Sequence, residues 1–291
     1  MAELYFDEYR IEDEFTKFVR TEKDSGYFTG DIILKSAGNY IFIQNVVAEE
    51  DYVASCTQFL IEDVEPPEEY VKAVAVVIRT FVYHLAVNNI FFLPDSLPYW
   101  VYKGVGNLSS KVKKAVEETH GEVLLYLNSP IYPLITYCTG GFTVFYEEIF
   151  GDSIEYSVSV DDSYSSSCAY YNWEIKVPVN RIQHQLNLGR IDSIEVKNYT
   201  IHMIPDTILI FGDKTYQLRG VNLFQSLYPL LPSPLFQMEV VADTIIFNGK
   251  GKGHLIGLSL WGSKAMAVSG KNYKEILEHY FPVAILSKMK S

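Results

Sequence analysis

The stretch "EPPEEYVKAVAVVIRTFVYHLAVNN" (residues 65–89) predicts a long amphipathic helix. Its apolar residues recur at the three- and four-residue spacing that is typical of one buried helix face: Val71, Val74, Ala75, Ile78, Val82 and Leu85. Pro67 suits the first turn, because no intrahelical bond needs its missing amide hydrogen, and Asn88 with Asn89 suits the end. The rest of the chain must supply the core against which this face packs.

Strands are predicted on both sides of this helix. The segments "YFTGDIILKS" (27–36) and "NYIFIQNVVAEEDYVAS" (39–55) alternate apolar and polar residues, as half-buried strands do. From about residue 173 to residue 261, short apolar runs again alternate with turn residues. We therefore expect a chain with many short strands separated by turns.

Two shorter helices complete the prediction. The segment "NLSSKVKKAVEETHG" (107–121) has Ser109 or Ser110 as a candidate N-cap and Gly121 as a terminator. The segment "KNYKEILEHYF" (271–281) predicts the last helix. The predicted fold class is α+β: a β-rich single domain with antiparallel sheets and two or three packed helices.

Composition narrows the class of protein. The 291 residues suffice for a substantial core, and we expect an N-terminal extension at residues 1–30 before the domain at 31–291. A net charge of −12 argues against binding of nucleic acid, which depends on neutralising phosphates. We find no apolar run of the roughly 18 to 20 residues that a membrane span requires.

The segment "FNGKGKGHLIGLSLWGSKAMAVSGKNYKEIL" (247–277) is rich in glycine and contains one histidine. Gly251 and Gly253 begin a dinucleotide fingerprint, but Ile256 stands where its third glycine is required. The segment is therefore not a nucleotide site, and a strand, a tight turn and a second apolar run are predicted instead. Glycines at such a turn let the backbone approach a neighbour or a ligand closely.

Two sets of residues are candidates for chemistry. The spacing of the helix at 65–89 places five residues on one stripe: Glu69, Lys72, Val76, Arg79 and Tyr83. This stripe would line a polysaccharide cleft, or else its acid would serve the helix dipole while its cations face solvent. His254 would donate to a sugar hydroxyl or be structural, and Trp261 would stack on a sugar ring or pack in the core.

Four segments of the chain together resemble a known family. They are "EEYVKAVAVVIRTFVYHL" (68–85), "AVEETHGEVLLYLNSPI" (115–131), "TYCTGGFT" (136–143) and "GKGKGHLIGLSLWGSKAMAVSGKNYKEILEHYFP" (249–282). In this order they resemble the motifs of the stage II sporulation protein D and amidase-enhancer (SpoIID/LytB) family, over about residues 40–286. Any one motif alone is weak, and the four in order are specific.

The resemblance implies a lytic transglycosylase that cleaves peptidoglycan glycan strands stripped of stem peptides. Glu69 matches the family's catalytic glutamate, a single acid and base that leaves 1,6-anhydro-N-acetylmuramic acid ends. The alternative is a glycan-binding module that enhances a separate N-acetylmuramoyl-L-alanine amidase, and a third is a degenerate structural member. The implied substrate-binding residues are Lys72, Arg79, Tyr83, Thr139, Gly140, Gly141, His254, Ser259 and Trp261.

The chain departs from the family pattern at four positions. Val74 and Leu260 replace two glutamines, Leu255 replaces a glycine, and Thr136 replaces the histidine of the turn. Each of the four changes removes a polar group that would position a sugar or tune Glu69. These departures leave the choice between enzyme and enhancer open.

The same resemblance implies partners and a location. We expect peptidoglycan glycan strands as the ligand, a cell-wall amidase as a further partner, and no nucleic acid. The location would be the cell envelope, which requires an export signal or anchor encoded upstream of Ala2. No cofactor is expected.

We predict no tightly bound zinc. Cys56, Cys138 and Cys168 form no CxxC pair, and one disulfide or three structural thiols are the expected states, with a metal shared by Cys138, Cys168 and a histidine as the alternative. Elemental analysis of the dialysed protein should therefore find far less than one zinc per chain. A near-stoichiometric signal would contradict this prediction and favour the shared metal.

Overall fold

A computed structural model describes most of the chain, namely residues 8–11, 16–21, 24–37, 40–61, 63–90 and 101–289. Its contacts divide the chain into two compact units. Unit 1 comprises Met1–Pro133 and Ile285–Ser291, and unit 2 comprises Leu134–Ala284. Both contain helices and small antiparallel sheets, which confirms the predicted α+β class. The boundary at residue 30 stays a prediction.

The described residues of unit 1 form three small antiparallel sheets and three helices. The sheets have the strand orders β1-β4-β5, β2-β3 and β16-β6-β7. The strands are β1 (Glu8–Ile11), β2 (Thr16–Thr21), β3 (Asp24–Phe28), β4 (Asp31–Ala37), β5 (Tyr40–Val46), β6 (Glu122–Tyr126), β7 (Ser129–Pro130) and β16 (Ile285–Lys288). The helices are α1 (Glu49–Leu60), α2 (Glu68–Val87) and α3 (Ser110–Glu118).

Helix α2 is the predicted helix and lies at the centre of unit 1. Pro67, predicted in the first turn, is the N-cap that directly precedes it, and Asn88 is the C-cap at the predicted end. All the predicted apolar positions are buried except Val82, which is half-buried. By length and composition α2 is the one helix of the described residues able to cross a membrane, contrary to our expectation, although 67% of its most apolar window is buried inside the protein.

Helix α1 corrects one prediction. The strand predicted at residues 39–55 ends at Val46, and the chain turns helical at Glu49. Three acidic residues, Glu49, Glu50 and Asp51, occupy the first turn, where they interact favourably with the helix dipole. In the sequence these three acidic residues continue the alternation of the preceding strand, but in the structure they begin a helix.

Helix α3 confirms the predicted caps. The Ser109 hydroxyl accepts a hydrogen bond from the Val112 amide at 3.3 Å, so Ser109 is the N-cap and Ser110 the first helical residue. Gly121 lies two residues after the C-cap Thr119 and has a φ of +71°, a backbone conformation that favours glycine. The helix therefore begins and ends where its sequence signals lie.

Unit 2 contains the remaining elements. Its antiparallel sheets have the orders β10-β11-β12 and β13-β14-β9, whereas β8 and β15 form a parallel pair. The strands are β8 (Ile135–Thr136), β9 (Trp173–Pro178), β10 (Ile191–Tyr199), β11 (Pro205–Gly212), β12 (Tyr216–Leu218), β13 (Phe236–Val241), β14 (Thr244–Gly249) and β15 (Leu258–Ser259). The helices are α4 (Tyr146–Phe150), α5 (Val179–Leu186), α6 (Gly220–Leu227), α7 (Leu260–Val268) and α8 (Tyr273–Tyr280), with a 3-10 helix at Ser163–Ser167.

The prediction of strands alone between residues 173 and 261 is wrong in two places. Helices α5 and α6 interrupt the strands, and both place apolar side chains such as Ile182 and Leu223 in a core shared with β9, β11 and β14. Eight-residue helices offer too few turns for a clear 3.6-residue period, so short apolar runs there resemble strands. The predicted last helix is confirmed as α8.

Arg79 holds unit 1 together from the middle of α2. Its side chain is fully buried, and its guanidinium donates to both carboxylate oxygens of Glu50, at 2.9 and 2.7 Å. Further donors reach the backbone oxygens of Val116 and Glu122 and the Thr119 hydroxyl. The interpretation of Arg79 as a solvent-facing cation is therefore wrong, because α1, α3 and β6 enclose it.

We predict that Arg79→Met destabilises unit 1 by about 3 kcal/mol, because removal of one partner leaves Glu50 and three further acceptors without their donor. Urea unfolding followed by circular dichroism measures the change. Lys114→Met is the control, since Lys114 is an exposed lysine that pairs with Glu68, and it should change stability little. An equal effect of both substitutions would contradict the structural role of Arg79.

Candidate functional site

Glu69 lies in the first turn of α2, where the helix leaves the core of unit 1. Its carboxylate accepts a hydrogen bond from the Lys72 ammonium at 3.0 Å, and its side chain is 32% exposed. Lys72 is nearer the core, at 12% exposure. The predicted catalytic residue is thus accessible, while the helix that carries it is anchored by buried residues.

Lys72 joins three carboxylates. Besides Glu69 it pairs with Glu68 at 3.0 Å and with Glu118 of α3 at 2.7 Å. Burial lowers the pKa of Lys72, but its hydrogen bonds to the three carboxylates outweigh burial and raise it overall. Hydrogen bonds from Lys72 and Lys114 lower the pKa of Glu68 to about 2. One lysine therefore stays charged at the centre of an acidic cluster.

Tyr83 lies one turn beyond Arg79 and contacts residues that the sequence did not single out. Its hydroxyl is hydrogen-bonded to Glu49, and burial is the main cause that raises the pKa of Tyr83. Burial also raises the pKa of Glu49, with the neighbouring Glu50 as the next cause. Glu49 is a second partly buried carboxyl group in unit 1, and it was missed because its place in a helix was not predicted.

In unit 2 the predicted turn residues surround a buried aspartate. The Thr139 hydroxyl donates to Asp162 Oδ2 at 2.5 Å, and the Tyr280 hydroxyl donates to Asp162 Oδ1 at 2.6 Å. The Asp162 amide donates to the Gly141 oxygen at 2.8 Å. Burial is the main cause that raises the pKa of Asp162. Thr139 and Asp162 are both fully buried, so they support the turn from behind.

The glycine-rich loop packs directly on this turn. A Cβ at Gly140 would lie 2.6 Å from the Gly251 nitrogen, and one at Gly251 would lie 2.7 Å from the Cys138 oxygen. The expected strand, turn and apolar run is confirmed up to β15, after which the chain enters α7. Here the close approach that glycine permits joins two parts of the protein backbone.

Two of the departures from the family pattern act together in this loop. Leu255 takes a φ of +66°, the conformation that a glycine at this position would adopt without strain. The Thr136 hydroxyl accepts a hydrogen bond from the Leu255 amide at 3.1 Å and donates to the Lys252 oxygen at 3.1 Å. Thr136 therefore holds the loop where Leu255 makes its unusual turn.

His254 is buried and neutral. Its Nδ1 accepts a hydrogen bond from the Ile256 amide at 3.1 Å, which places the ring proton on Nε2. Burial lowers the pKa of His254 to about 4, although a backbone hydrogen bond with Ile135 opposes this shift. His254 is 8% exposed, and its ring centre lies 6.3 Å from that of Phe150 in α4.

Ser259 and Trp261 occupy the start of α7 in different ways. Ser259 is fully buried and caps the helix, because its hydroxyl accepts from the Gly262 amide at 3.1 Å. A Cβ at Gly262 would lie 2.0 Å from both Asp162 Oδ1 and the Tyr280 hydroxyl, so only glycine fits there. Trp261 is half-buried, with its ring 6.3 Å from that of Tyr137.

The three cysteines are free and buried. Cys138 is hydrogen-bonded to Cys168, a contact that raises the pKa of Cys138 and lowers that of Cys168 to about 7. Within the part of the chain that the structure describes, no three or more histidine, cysteine or acidic side chains are placed to hold a metal ion. The prediction of no tightly bound zinc is left for elemental analysis.

The comparisons with known proteins confirm the predicted resemblance. The SpoIID family model, described as Stage II sporulation protein, matches residues 37–126, a segment that contains α2 and Glu69. The chain is 27% identical to Stage II sporulation protein D of Bacillus amyloliquefaciens over 271 residues, which are 86% of this chain and 76% of that protein.

Two other relatives cover the chain to different extents. An uncharacterized protein of Brachyspira hyodysenteriae is 28% identical over 263 residues, with 87% of this chain and 70% of that protein aligned. The Amidase enhancer of Bacillus subtilis (strain 168) is 25% identical over 281 residues, and the alignment covers 75% of this chain but 38% of the enhancer. The resemblance therefore extends well beyond the segment that the family model matches.

We predict that His254 makes the protein less stable in acid. The unfolded chain binds a proton on this histidine near pH 6.5, whereas the folded protein does so only near pH 4, so stability falls as the pH drops through this window. The loss by pH 4 is about 3 kcal/mol for a shift of this size. Urea unfolding of the wild type and of His254→Gln at pH 7 and pH 4 measures this loss. The prediction is contradicted if the two proteins differ in free energy of unfolding by the same amount at both pH values.

Proposed function

We propose that this chain is a peptidoglycan lytic transglycosylase that cleaves glycan strands stripped of their stem peptides. The observation that carries the proposal is the position of Glu69. Its accessible carboxylate stands at the end of a buried helix, inside the segment that resembles the family, where the family pattern has its catalytic glutamate. A wider role in the bacterial cell wall and in sporulation follows from the names of the relatives.

The proposed chemistry needs one carboxyl group. Protonated Glu69 donates its proton to the glycosidic oxygen as the bond from C1 of N-acetylmuramic acid to that oxygen breaks. The C6 hydroxyl of the same sugar then attacks C1, and its proton passes to the Glu69 carboxylate. The product is a 1,6-anhydro ring, no water is consumed and Glu69 regains its acid form. A second catalytic carboxylate, as in most glycosidases, is not needed.

Lys72 has a part in this cycle. An ammonium beside a carboxylate favours the ionised form, which suits the base step and opposes the acid step. Because Lys72 also pairs with Glu68 and Glu118, it keeps charged partners when Glu69 takes up a proton. Lys72 in this proposal positions the Glu69 carboxylate through its hydrogen bond at 3.0 Å, and Tyr83 binds the glycan near Glu49.

The remaining predicted binding residues divide by burial. Arg79, Thr139 and Ser259 are fully buried, and His254 nearly so, which suits side chains that hold the glycan-binding backbone in place. Gly140 is buried as well, so Gly141 and Trp261, which are half-buried, are the candidates for direct contact through a backbone group and an indole face. Trp261 remains half-buried, so part of its ring is available for stacking.

The second candidate function is a glycan-binding module that enhances a separate cell-wall amidase. It is favoured by the replacement of two family glutamines, since Val74 is fully buried and Leu260 is 9% exposed. Side chains at these places pack in the core and offer a sugar no hydrogen bond. One relative carries the name Amidase enhancer, although this chain covers 38% of it. Under either function we propose the cell envelope as the location.

We predict that Glu69→Gln lowers the rate of glycan cleavage by about 10²- to 10⁴-fold, because the amide cannot cycle a proton. Folding and glycan binding should change little, since the substitution is nearly isosteric and Lys72 retains Glu68 and Glu118. The measurement is digestion of purified peptide-free strands, with anhydro-muramyl products quantified by mass spectrometry. Full activity of Glu69→Gln would contradict the transglycosylase mechanism.

Two neighbouring carboxyl groups provide matched controls. Glu68→Gln removes another partner of Lys72 and should retain most activity, because its side chain points about 100° away around the helix. Glu49→Gln tests whether the partly buried carboxyl group beside Tyr83 supplies the proton instead. Loss of cleavage in Glu49→Gln with activity kept in Glu69→Gln would transfer the acid role to Glu49. Intact strands that still co-sediment with the wild type would favour the enhancer.

A further inference from the structure

A group of aromatic and basic side chains in unit 2 lies outside the predicted catalytic residues. The Lys252 ammonium lies 4.4 Å from the centre of the Tyr137 ring and 4.5 Å from that of Tyr170. Trp261 adjoins Tyr137, and the Lys264 ammonium lies 5.5 Å from the Trp261 ring centre. We call these five residues the Lys252 site.

Backbone hydrogen bonds fix the Lys252 site before any ligand arrives. The Cys138 amide donates to the Lys252 oxygen at 3.1 Å, and the Lys252 amide donates to the Cys138 oxygen at 2.7 Å. The Gly251 amide donates to the Tyr170 oxygen at 2.7 Å, and the Trp261 amide donates to the Tyr137 oxygen at 3.1 Å. Four chain segments that carry the rings and the lysine are thus joined directly beside those side chains.

Lys252 differs from the lysines of the acidic cluster in its partners. Within the described residues no carboxylate pairs with its ammonium, whereas Lys72 has three. The faces of the Tyr137 and Tyr170 rings attract the charge without neutralising it. In a protein of net charge −12, a fixed cation without a carboxylate partner is suited to bind an anionic group.

The chemistry of a peptide-free glycan strand fits this combination. Each N-acetylmuramic acid carries a lactyl ether, and removal of the stem peptide turns its amide into a free carboxylate. The pyranose rings present apolar faces that stack on tyrosine and tryptophan, and a carboxylate accepts charge-assisted hydrogen bonds from an ammonium. A strand that still carries its peptides has an uncharged amide at the same place.

We propose that the Lys252 site is a specificity subsite that recognises the free lactyl carboxylate of a peptide-free muramic acid residue. Lys252 binds the carboxylate, Tyr137, Tyr170 and Trp261 contact the sugar, and Lys264 adds a second positive charge. The inference rests on the proposed function, because it takes the same glycan strand as the ligand. It assigns the discrimination between peptide-free and peptide-bearing strands to unit 2 and leaves the acid–base step to Glu69.

The test compares two forms of one ligand. One is soluble peptide-free glycan strands, and the other is the same strands after their lactyl carboxylates have been converted to methylamides. Calorimetry measures the affinity of the full chain for each form. We expect the wild type to bind the carboxylate form at least about tenfold more tightly, which is the gain of a charge-assisted hydrogen bond.

Lys252→Met removes the charge and keeps the length of the side chain. It should bind the carboxylate form about tenfold more weakly than the wild type does, and the methylamide form with unchanged affinity. Lys252→Arg should restore the preference for the carboxylate. The matched control is Lys274→Met, because the Lys274 ammonium also lies over a tyrosine ring, at 5.7 Å from the centre of Tyr273, but in α8. This control should bind both forms as the wild type does.

The outcomes separate the two proposals. Equal wild-type affinity for both forms would overturn the carboxylate subsite and leave the proposed function standing. A Lys252→Met variant that loses affinity for both forms equally would also overturn it, since Lys252 would then only support the loop. A folded wild type that binds neither form would overturn the proposed function together with the subsite.

Discussion

The buried guanidinium of Arg79 is the interaction on which unit 1 depends. It takes a charge into the core at the middle of α2, where only a complete set of acceptors makes that state tolerable. The acceptors come from α1, α3 and the start of β6, so these three elements have one arrangement that satisfies the arginine. Glu69 lies ten residues earlier on the same helix, so the contacts of Arg79 also fix the position of Glu69.

Unit 2 also buries a charged side chain, and there hydroxyl groups and glycines make the burial possible. Asp162 is buried, and the hydroxyls of Thr139 and Tyr280 compensate its desolvation. The absence of a side chain at Gly262 makes room for this group of polar atoms. The absence of side chains at Gly140 and Gly251 likewise lets the loop around Gly251 approach the turn at Gly140 closely. The glycine-rich sequence therefore serves packing first, and its surface carries the aromatic and basic side chains.

The sequence pattern predicted those features of the fold that depend on residues close together in the chain, such as helices and their caps. Helices α2 and α3 have long apolar periods and caps, and both were predicted with their ends. The burial of Arg79 was not, because its partner Glu50 is 29 residues away and belongs to a helix that resembled a strand. The site shares this limit: Tyr137, Tyr170 and Lys252 meet only through tertiary contacts, so no spacing in the sequence marks them. The resemblance to a family indicated Glu69, which the helical pattern alone left as an ordinary first-turn acid.

The position of strand β16 in the sequence determines the order in which the two units can fold during synthesis. It follows unit 2 in the sequence, yet it pairs with β6 of unit 1. Unit 2 is thus an insertion between two strands of one sheet. On the ribosome, the part of unit 1 that ends at Pro133 emerges without β16, and the edge of β6 that pairs with β16 stays open while unit 2 is being made. Unit 2 can complete its contacts before unit 1 does, although its synthesis starts later, so α2 with Glu69 packs on a completed β16-β6-β7 sheet only after unit 2 has been made.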